Sequence, residues 1–272
     1  MTTATVTFRL AGPQQAWSAR ERRAHRPTQD HPTKSGIVGL VANALGRDRT
    51  GDISDLTALR LGVRADRPGN IESDYHTSGS GRFPLLPAEV LADPALARAA
   101  AKGLPTERTY AAPKNIRRDS KDILVGKREA AILTTDEYLV DAVFTIALTG
   151  ARGLVDAIAA ALTAPARSLH LGRKAYPLSA PPAPVVHPVA DPADALALVP
   201  PAEVASRYTT WIEETPVRSH PAADTQITVD QPTRFDQRRN TPRLESRRTT
   251  AAVPHPPTGT RTVDFFAPEE HP

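Results

Sequence analysis

The side chains best equipped for chemistry lie in four short stretches of the 272-residue sequence. Residues 12–35 hold Gln14, Gln15 and Trp17, then Arg20, Arg22, Arg23, His25 and Arg26, and close on Lys34 and Ser35. Ser35 stands as the N-cap of an apolar helix, whose free N–H groups and positive dipole end suit a phosphate. Trp17 is open to two readings: a platform that stacks a base or a guanidinium, or a cap on the core beside the first strand. Asp74-Tyr75-His76-Thr77 sets a phenol next to an imidazole, the pair that RNA cleavage needs as acid and base. On a strand, neighbours point to opposite faces, which favours a structural or base-stacking role over catalysis. Lys114, Arg117, Arg118, Lys121, Lys127 and Arg128 crowd a third stretch. In the fourth, residues 169–174, Gly172 lets a nucleic acid backbone approach while Arg173 and Lys174 neutralise phosphate.

Much other chemistry lacks its anchors. The sequence has no phosphate-binding G-x-x-x-x-G-K-[ST], no G-x-G-x-x-G after a strand, no H-E-x-x-H and no G-x-S-x-G. It has no cysteine, which removes disulfides, thiolate nucleophiles and cysteine metal sites, and its eight histidines show no metal-ligand spacing, so no metal or other cofactor is expected. Met1 to Leu10 has no apolar core behind a basic start, and no run reaches the ~18 apolar residues of a membrane helix, so a soluble, cytoplasmic protein is expected.

Charge is small overall but unevenly spread. There are 34 Lys+Arg against 30 Asp+Glu, a net of +4, and 28 of the cations are Arg. Residues 1–130 carry 21 basic and 14 acidic groups, +7, whereas residues 131–272 carry 13 and 16, −3. An anion-facing surface therefore belongs mainly to the first half. Arg favours planar, bidentate contacts with phosphate or carboxylate, although abundant Ala and Pro make codon bias an equal explanation of its excess.

These groups need elements to hold them. Residues 3–10 alternate apolar Val6, Phe8 and Leu10 with polar Thr5, Thr7 and Arg9, which predicts a half-buried strand. An apolar helix is predicted over 36–45, a short one over 54–60, extended segments at 61–66 and 71–77, strands at 130–134 and 138–148, and an amphipathic helix at 153–163. Residues 78–128, punctuated by Gly and Pro and basic at their end, read as a projecting insertion. After Leu169 proline becomes dense, with helical patches predicted at 192–198 and 202–213, and a disordered tail from Ala251. The order strand, helix, strand, insertion, strand, helix points to an α+β, ferredoxin-like (RRM-like) domain at 1–169 with a smaller, irregular β-containing region at 170–250.

Residues 8–17 (FRLAGPQQAW), 26–28 (RPT), 32–40 (PTKSGIVGL), 74–77 (DYHT) and 171–178 (LGRKAYPL) together resemble the CasD subunits of type I-E CRISPR Cascade surveillance complexes. The resemblance spans most of residues 3–215 and fades towards Thr250. It implies a RAMP-superfamily palm with a β-hairpin thumb, here at 78–128, that clamps the 5′ handle of the CRISPR RNA in antiviral defence. It further implies a non-catalytic subunit contacting the backbone and large subunits of a ribonucleoprotein, and target DNA only indirectly. Phosphate contacts would come from Arg26, Lys34, the Ser35 helix terminus and Arg173 at Gly172. Bases would pack near Gln15, Trp17, Tyr75 and His76, and the thumb would contribute Lys114, Arg117 and Arg118. The alternative is a metal-independent endoribonuclease acting on repeat RNA through His76 or Tyr75 with Lys34 or a thumb lysine.

Overall fold

The computed structural model describes residues 2–18, 24–78, 81–84, 87–104, 107–110, 116–118, 120, 124–126, 132–203, 207–215, 224–237 and 239–251. In chain order the elements are β1 (Thr3–Ala11), β2 (Gln14–Gln15), β3 (His25–Arg26), α1 (Lys34–Ala44), α2 (Ser54–Thr57), β4 (Arg60–Arg67) and β5 (Asn70–Ser78). There follow β6 (Gly81–Pro84), α3 (Pro87–Ala92), α4 (Pro94–Ala101), β7 (Glu107–Tyr110), β8 (Ile116–Arg118), β9 (Leu124–Gly126) and β10 (Ile132–Val140). The remainder is β11 (Val143–Ala151), α5 (Arg152–Thr163), β12 (Val185–His187), α6 (Pro192–Leu198), β13 (Arg207–Glu214), β14 (Thr225–Arg234) and β15 (Arg239–Ala251). Two compact units divide the chain: Met1–Ala19, Gln29–Asn70 and Val140–Pro272 form one, and Arg20–Thr28 with Ile71–Leu139 the other.

The first unit is built on a seven-stranded sheet in the order β12-β1-β11-β4-β13-β15-β14, antiparallel at every step. The alternation in β1 dictates one face, because Val6, Phe8 and Leu10 stand opposite Leu148, Ile146 and Phe144 and all six are buried. Onto this face α1 and α5, which touch each other, bring Ile37, Val41, Val155, Ile158 and Leu162. The polar face of β1 is not open to water as the strand pattern predicts. Thr5 and Thr7 are buried beneath the proline-rich segment before α6: the Thr5 and Thr149 hydroxyls lie 2.7 Å apart, and Thr5 donates to the Val189 carbonyl at 2.8 Å. Short hydroxyls that bond to one another and to a covering carbonyl cost little to bury.

An aspartate fastens that cover. Asp66, wholly enclosed, accepts from Arg64 Nε at 2.6 Å, from the Thr145 hydroxyl at 2.8 Å and from the Ala202 backbone N–H at 2.9 Å. Arg64 in turn donates to the Leu196 and Val199 carbonyls, so one ion pair ties the end of α6 to the middle of the sheet. Ala147, Ala195, Leu196 and Ile212 fill the space between.

Three expectations change. The patch at 202–213 was expected to be helical, but Arg207–Glu214 is strand β13, because Tyr208, Thr209, Thr210, Trp211 and Ile212 form a β-branched and aromatic run that pairs with both β4 and β15. Residues 170–250 were expected to form a smaller region of their own, yet β12 to β15 all join the main sheet. In the second unit, which reaches beyond the anticipated 78–128 insertion, β10 pairs with β5 and runs parallel to β3, with Asp136 opposite Arg26. That unit also holds two antiparallel pairs, β6 with β7 and β8 with β9, and α3 and α4 occupy the chain between β6 and β7. The tail after Ala251 lies outside the described residues, and among those described no helix is long and apolar enough to cross a membrane.

Replacing Asp66 by Ala leaves the Arg64 guanidinium buried without its carboxylate. Chemical denaturation should show a loss of ~3–5 kcal/mol, against a small change for the exposed carboxylate variant Asp156→Ala.

Candidate nucleic-acid interface

Two of the segments singled out in the sequence meet in the first unit. Ala16 N–H donates to the Leu171 carbonyl at 3.1 Å, and Ser179 N–H donates to the Ala11 carbonyl at 2.9 Å. Gly172 has φ +85°, and a Cβ there would lie 1.8 Å from the Ala16 carbonyl oxygen, so this close approach requires glycine. Gly12 is equally confined, since a Cβ would meet a Leu171 methyl at 2.6 Å and the Pro177 carbonyl at 2.8 Å. The glycine of the Gly-Arg loop thus serves an approach of protein backbone. The loop still presents cations: Arg173 Nη1 donates to the Tyr176 hydroxyl at 3.1 Å with its guanidinium 5.7 Å from that ring's centre, and Lys174 is exposed.

Gln15 and Trp17 turn inward. Gln15 Nε2 donates to the Ala142 carbonyl at 2.7 Å, Trp17 Nε1 donates to Gln15 Oε1 at 3.1 Å, and the Trp17 carbonyl accepts from Gln29 N–H at 2.7 Å. With 1 % of its surface exposed, Trp17 cannot stack a base; its indole packs against Gly36, where a Cβ would come within 2.7 Å of Cε3. Of the two readings of Trp17, the core cap is the one the structure adopts.

The N-terminus of α1 is also occupied from within. Thr33, rather than Ser35, is the N-cap, accepting from Gly36 N–H at 3.3 Å, and the half-buried Ser35 sits in the first turn with its hydroxyl 3.4 Å from that of Thr33. The free N–H of Lys34 donates to Asp230 Oδ2 at 2.7 Å, so a carboxylate of the chain itself takes the place a phosphate would fill. Asp230 is held by Arg243, which donates to both of its oxygens at 2.6 and 2.9 Å and also to Glu245. The Lys34 ammonium is enclosed too, donating to Glu213 Oε1 at 2.6 Å and Gln231 Oε1 at 3.3 Å. Burial pulls Lys34 below its ordinary value in spite of the Glu213 charge, while Arg243 is raised because Asp230 and Glu245 outweigh the burial that would lower it. Neither Lys34 nor the Ser35 terminus is placed to meet RNA phosphate, a correction with one cause: Asp230, Glu213 and Arg243 lie some 180 to 210 residues downstream.

In the second unit residues 71–77 of β5 are all exposed, Tyr75 most among its large side chains at 62 %. His76 Nε2 stands 3.1 Å from Asp74 Oδ2 and 3.8 Å from Asp136 Oδ2, and the same Asp136 oxygen accepts from Arg26 Nη1 at 3.1 Å. His25 Nε2 lies 2.8 Å from Glu137 Oε1. Arg26 and His76 are therefore brought together over one carboxylate, whereas strand alternation turns Tyr75 away from them. Asp136, supplied by β10 at its pairing with β3, is the organising residue that the sequence reading missed; its offset from Arg26 was legible only once β3 and β10 were known to pair. Arg117 and Arg118 lie on β8 opposite Val125 and Leu124, and Lys114 falls outside the described residues. Among the described residues no group of three or more His, Asp or Glu is arranged to hold a metal ion.

The family described as "CRISPR-associated protein (Cas_Cas5)" matches residues 5–247. The "CRISPR system Cascade subunit CasD" of Escherichia coli (strain K12) is 32% identical over 179 residues, 65% of this chain and 68% of that protein. The fold is similar to that of a solved "Cas protein", with TM-score 0.56 and 30% identity over 91% of this chain and 95% of the other. It is also similar to a chain of a "CRISPR RNA-guided surveillance complex", with TM-score 0.63 and 31% identity over 91% of this chain and 90% of the other.

Gly172→Ala tests the clasp between the two motif segments. The added methyl collides with backbone at a left-handed φ, so thermal unfolding should show a destabilisation of ~1–3 kcal/mol, while Gly103→Ala, with open space around it, should cost only the price of its own positive φ.

Proposed function

Since the chain belongs to the Cas5 family of CRISPR-associated proteins, we propose that it is the CasD-type subunit of a type I-E Cascade complex, holding the 5′ handle of the CRISPR RNA without cutting it. The observation that carries this reading is the likeness, over nine-tenths of both chains and at 31% identity, to a chain of an RNA-guided surveillance complex. The strand order β12-β1-β11-β4, with α1 joining β1 to β4 and α5 joining β11 to β12, supports a ferredoxin-like RAMP palm. The second unit, with its paired β6 and β7, is the proposed thumb, and its partners are the backbone and large subunits in the cytoplasm, with target DNA met only through the complex.

The buried placement of Gln15, Trp17 and Lys34 narrows the proposed RNA contacts to surface groups. Arg173 and Lys174 beside Gly172 would neutralise handle phosphates, Arg26 and His76 would do the same from the second unit, and Tyr75 offers the exposed ring on which an unpaired base can stack. Lys114, Arg117 and Arg118 complete the proposed thumb contacts. Gln15 and Trp17 flank Ala16, whose N–H holds the Leu171 carbonyl, and so act one layer below Arg173 and Lys174, while Lys34 and Ser35 serve the α1 terminus. A non-catalytic role is supported by Lys34, whose ammonium is committed to Glu213, and by the divergence of Tyr75 from His76, both of which weigh against the Lys34 form of the cleavage alternative; Lys114, Lys121 and Lys127 of the thumb fall outside the described residues.

Co-expression with the other Cascade subunits and a repeat-spacer transcript should yield a complex whose bound RNA carries one defined 5′ handle. Equal affinity for a scrambled handle at physiological salt would overturn the reading, and so would cleavage of repeat RNA in EDTA that His76→Ala abolishes. Arg173→Ala should weaken handle binding and lower the slope of log affinity against log salt by about one phosphate contact. Lys34→Ala should instead cost ~3–5 kcal/mol of stability and leave that slope unchanged.

A further inference from the structure

Six ionisable groups are buried together where α1 meets β13, β14 and β15. Three are carboxylates, Asp230, Glu245 and Glu213, and three are bases, Arg243, Lys34 and His31, with side-chain exposures between 0% and 12%. Lys34 Nζ is paired with Glu213 Oε1 at 2.6 Å and Arg243 Nε with Asp230 Oδ1 at 2.6 Å, which leaves Glu245, shared with Arg243, as the carboxylate that His31 faces. The cluster is therefore balanced only when the His31 imidazole is protonated, and a neutral ring would leave one buried carboxylate uncompensated.

The geometry of the ring makes the same demand. His31 Nδ1 is hydrogen-bonded to Asp30 Oδ1 at 2.6 Å, and Nε2 lies 3.2 Å from Glu245 Oε1, within ion-pair distance but outside hydrogen-bond alignment, so that a carboxylate oxygen stands near each nitrogen. A neutral imidazole has one N–H and one lone pair, and would aim that lone pair at an anion. The ring is fixed in this position by the Trp211 indole, stacked 4.3 Å away at 12°. Arg247 lies over the same indole at 5.8 Å, and Asp30, half-exposed, is the outermost charge of the set.

We infer that His31 is a structural imidazolium, and that loss of its proton unlatches residues 29–33 and the first turn of α1 from the β14–β15 hairpin. The chain of contacts runs from Asp30 at the surface through His31, Glu245, Arg243 and Asp230 to the Lys34 N–H, so disturbance at its outer end reaches the helix terminus. Among the described residues the charged groups about the ring are Asp30 on its own segment and Glu245 on β15, with Arg247 across the Trp211 indole and Arg243 on β15, Asp230 on β14, Glu213 on β13 and Lys34 on α1 linked to Glu245 in turn. Burial acts to lower the His31 value, but its hydrogen bond to Asp30 and the nearby Glu245 carboxylate prevail and hold it above the ordinary 6.5. His31 and Arg243 hold Glu245 below its ordinary 4.5 against the cost of its burial, and the His31 hydrogen bond chiefly holds Asp30 below 3.8. The raised base stabilises the fold fully below 6.5 and loses that contribution as pH climbs through its folded value; the lowered carboxylates stabilise above their ordinary values and lose theirs as pH falls through the folded ones. The His31 contribution is thus present in full in mildly acid solution and is lost towards alkaline pH, whereas Lys34, lowered by its burial, contributes in the opposite sense there, so the His31 part is read as the difference between the wild type and a His31 variant.

The test is denaturant unfolding of the full chain and of His31→Gln from about pH 6 to about pH 9, where histidine alone among ordinary side chains titrates. The wild type should lose about tenfold in its folding constant for each unit by which the His31 value exceeds the ordinary one. His31→Gln should be less stable than the wild type at the acidic end, and the difference should shrink as pH rises; parallel curves for the two proteins would overturn the inference. Should His31→Gln fail to fold, nitrogen NMR of the wild-type ring that contacts the Trp211 indole decides: both nitrogens protonated at neutral pH supports the imidazolium, and a neutral ring refutes it.

Discussion

The contact between the Asp230 carboxylate and the first N–H of α1 is the constraint on which the first unit turns. A helix terminus carries free donors, and a buried one has to find acceptors inside the protein. Here the acceptor comes from the far end of the sequence, on the edge strand of the sheet, and it arrives already bound to Arg243. A carboxylate buried with a single partner would be a liability; with a guanidinium on one side and a helix terminus on the other its charge is met from both directions. The consequence is a closed circuit in which the β14–β15 hairpin, the last described element, positions the first helix.

A similar logic governs the other face of the sheet. Asp66 and Arg64 seat the end of α6 and the segment after it, and the threonines of β1 and β11 bond beneath the segment before it. Both layers of the sheet are thereby covered, one by helices that a hydrophobic stripe attracts, the other by an irregular chain that polar bonds must fasten. The proline-rich composition of that second cover fits its task, because a strap that joins the sheet only over the three residues of β12 needs few backbone donors and gains from a restricted unfolded state.

Much of this was legible in the sequence where a period repeats. β1, α1, β4, β5 and α5 each carry their own signal in apolar spacing, and the structure places them within a residue or two of where that spacing predicts them. The failures share a cause in distance along the chain. Ser35 reads as a cap because it precedes an apolar run, but Thr33 and Asp230 do the capping; Trp17 and Lys34 read as surface chemistry because they sit in a basic loop, but Gly36, Glu213 and Gln231 enclose them. A local pattern can mark a residue as important and still misassign what it touches. The tetrapeptide 74–77 was read from its own alternation and did expose Tyr75 and His76, although the carboxylate that organises His76 and Arg26 comes from β10.

One feature of the topology bears on how this architecture tolerates change. The chain leaves the main sheet after β4 and returns to it at β11, and these two strands are paired neighbours, Arg67 standing opposite Val143. The ends of the excursion are therefore held at the spacing of a sheet ladder by hydrogen bonds that do not depend on what lies between them. For such a graft the entropy of closing the insert grows only logarithmically with its length. Segments such as the α3–α4 pair, which lie in the chain between β6 and β7, can thus be lengthened, trimmed or exchanged with little strain on the paired strands that bracket the excursion.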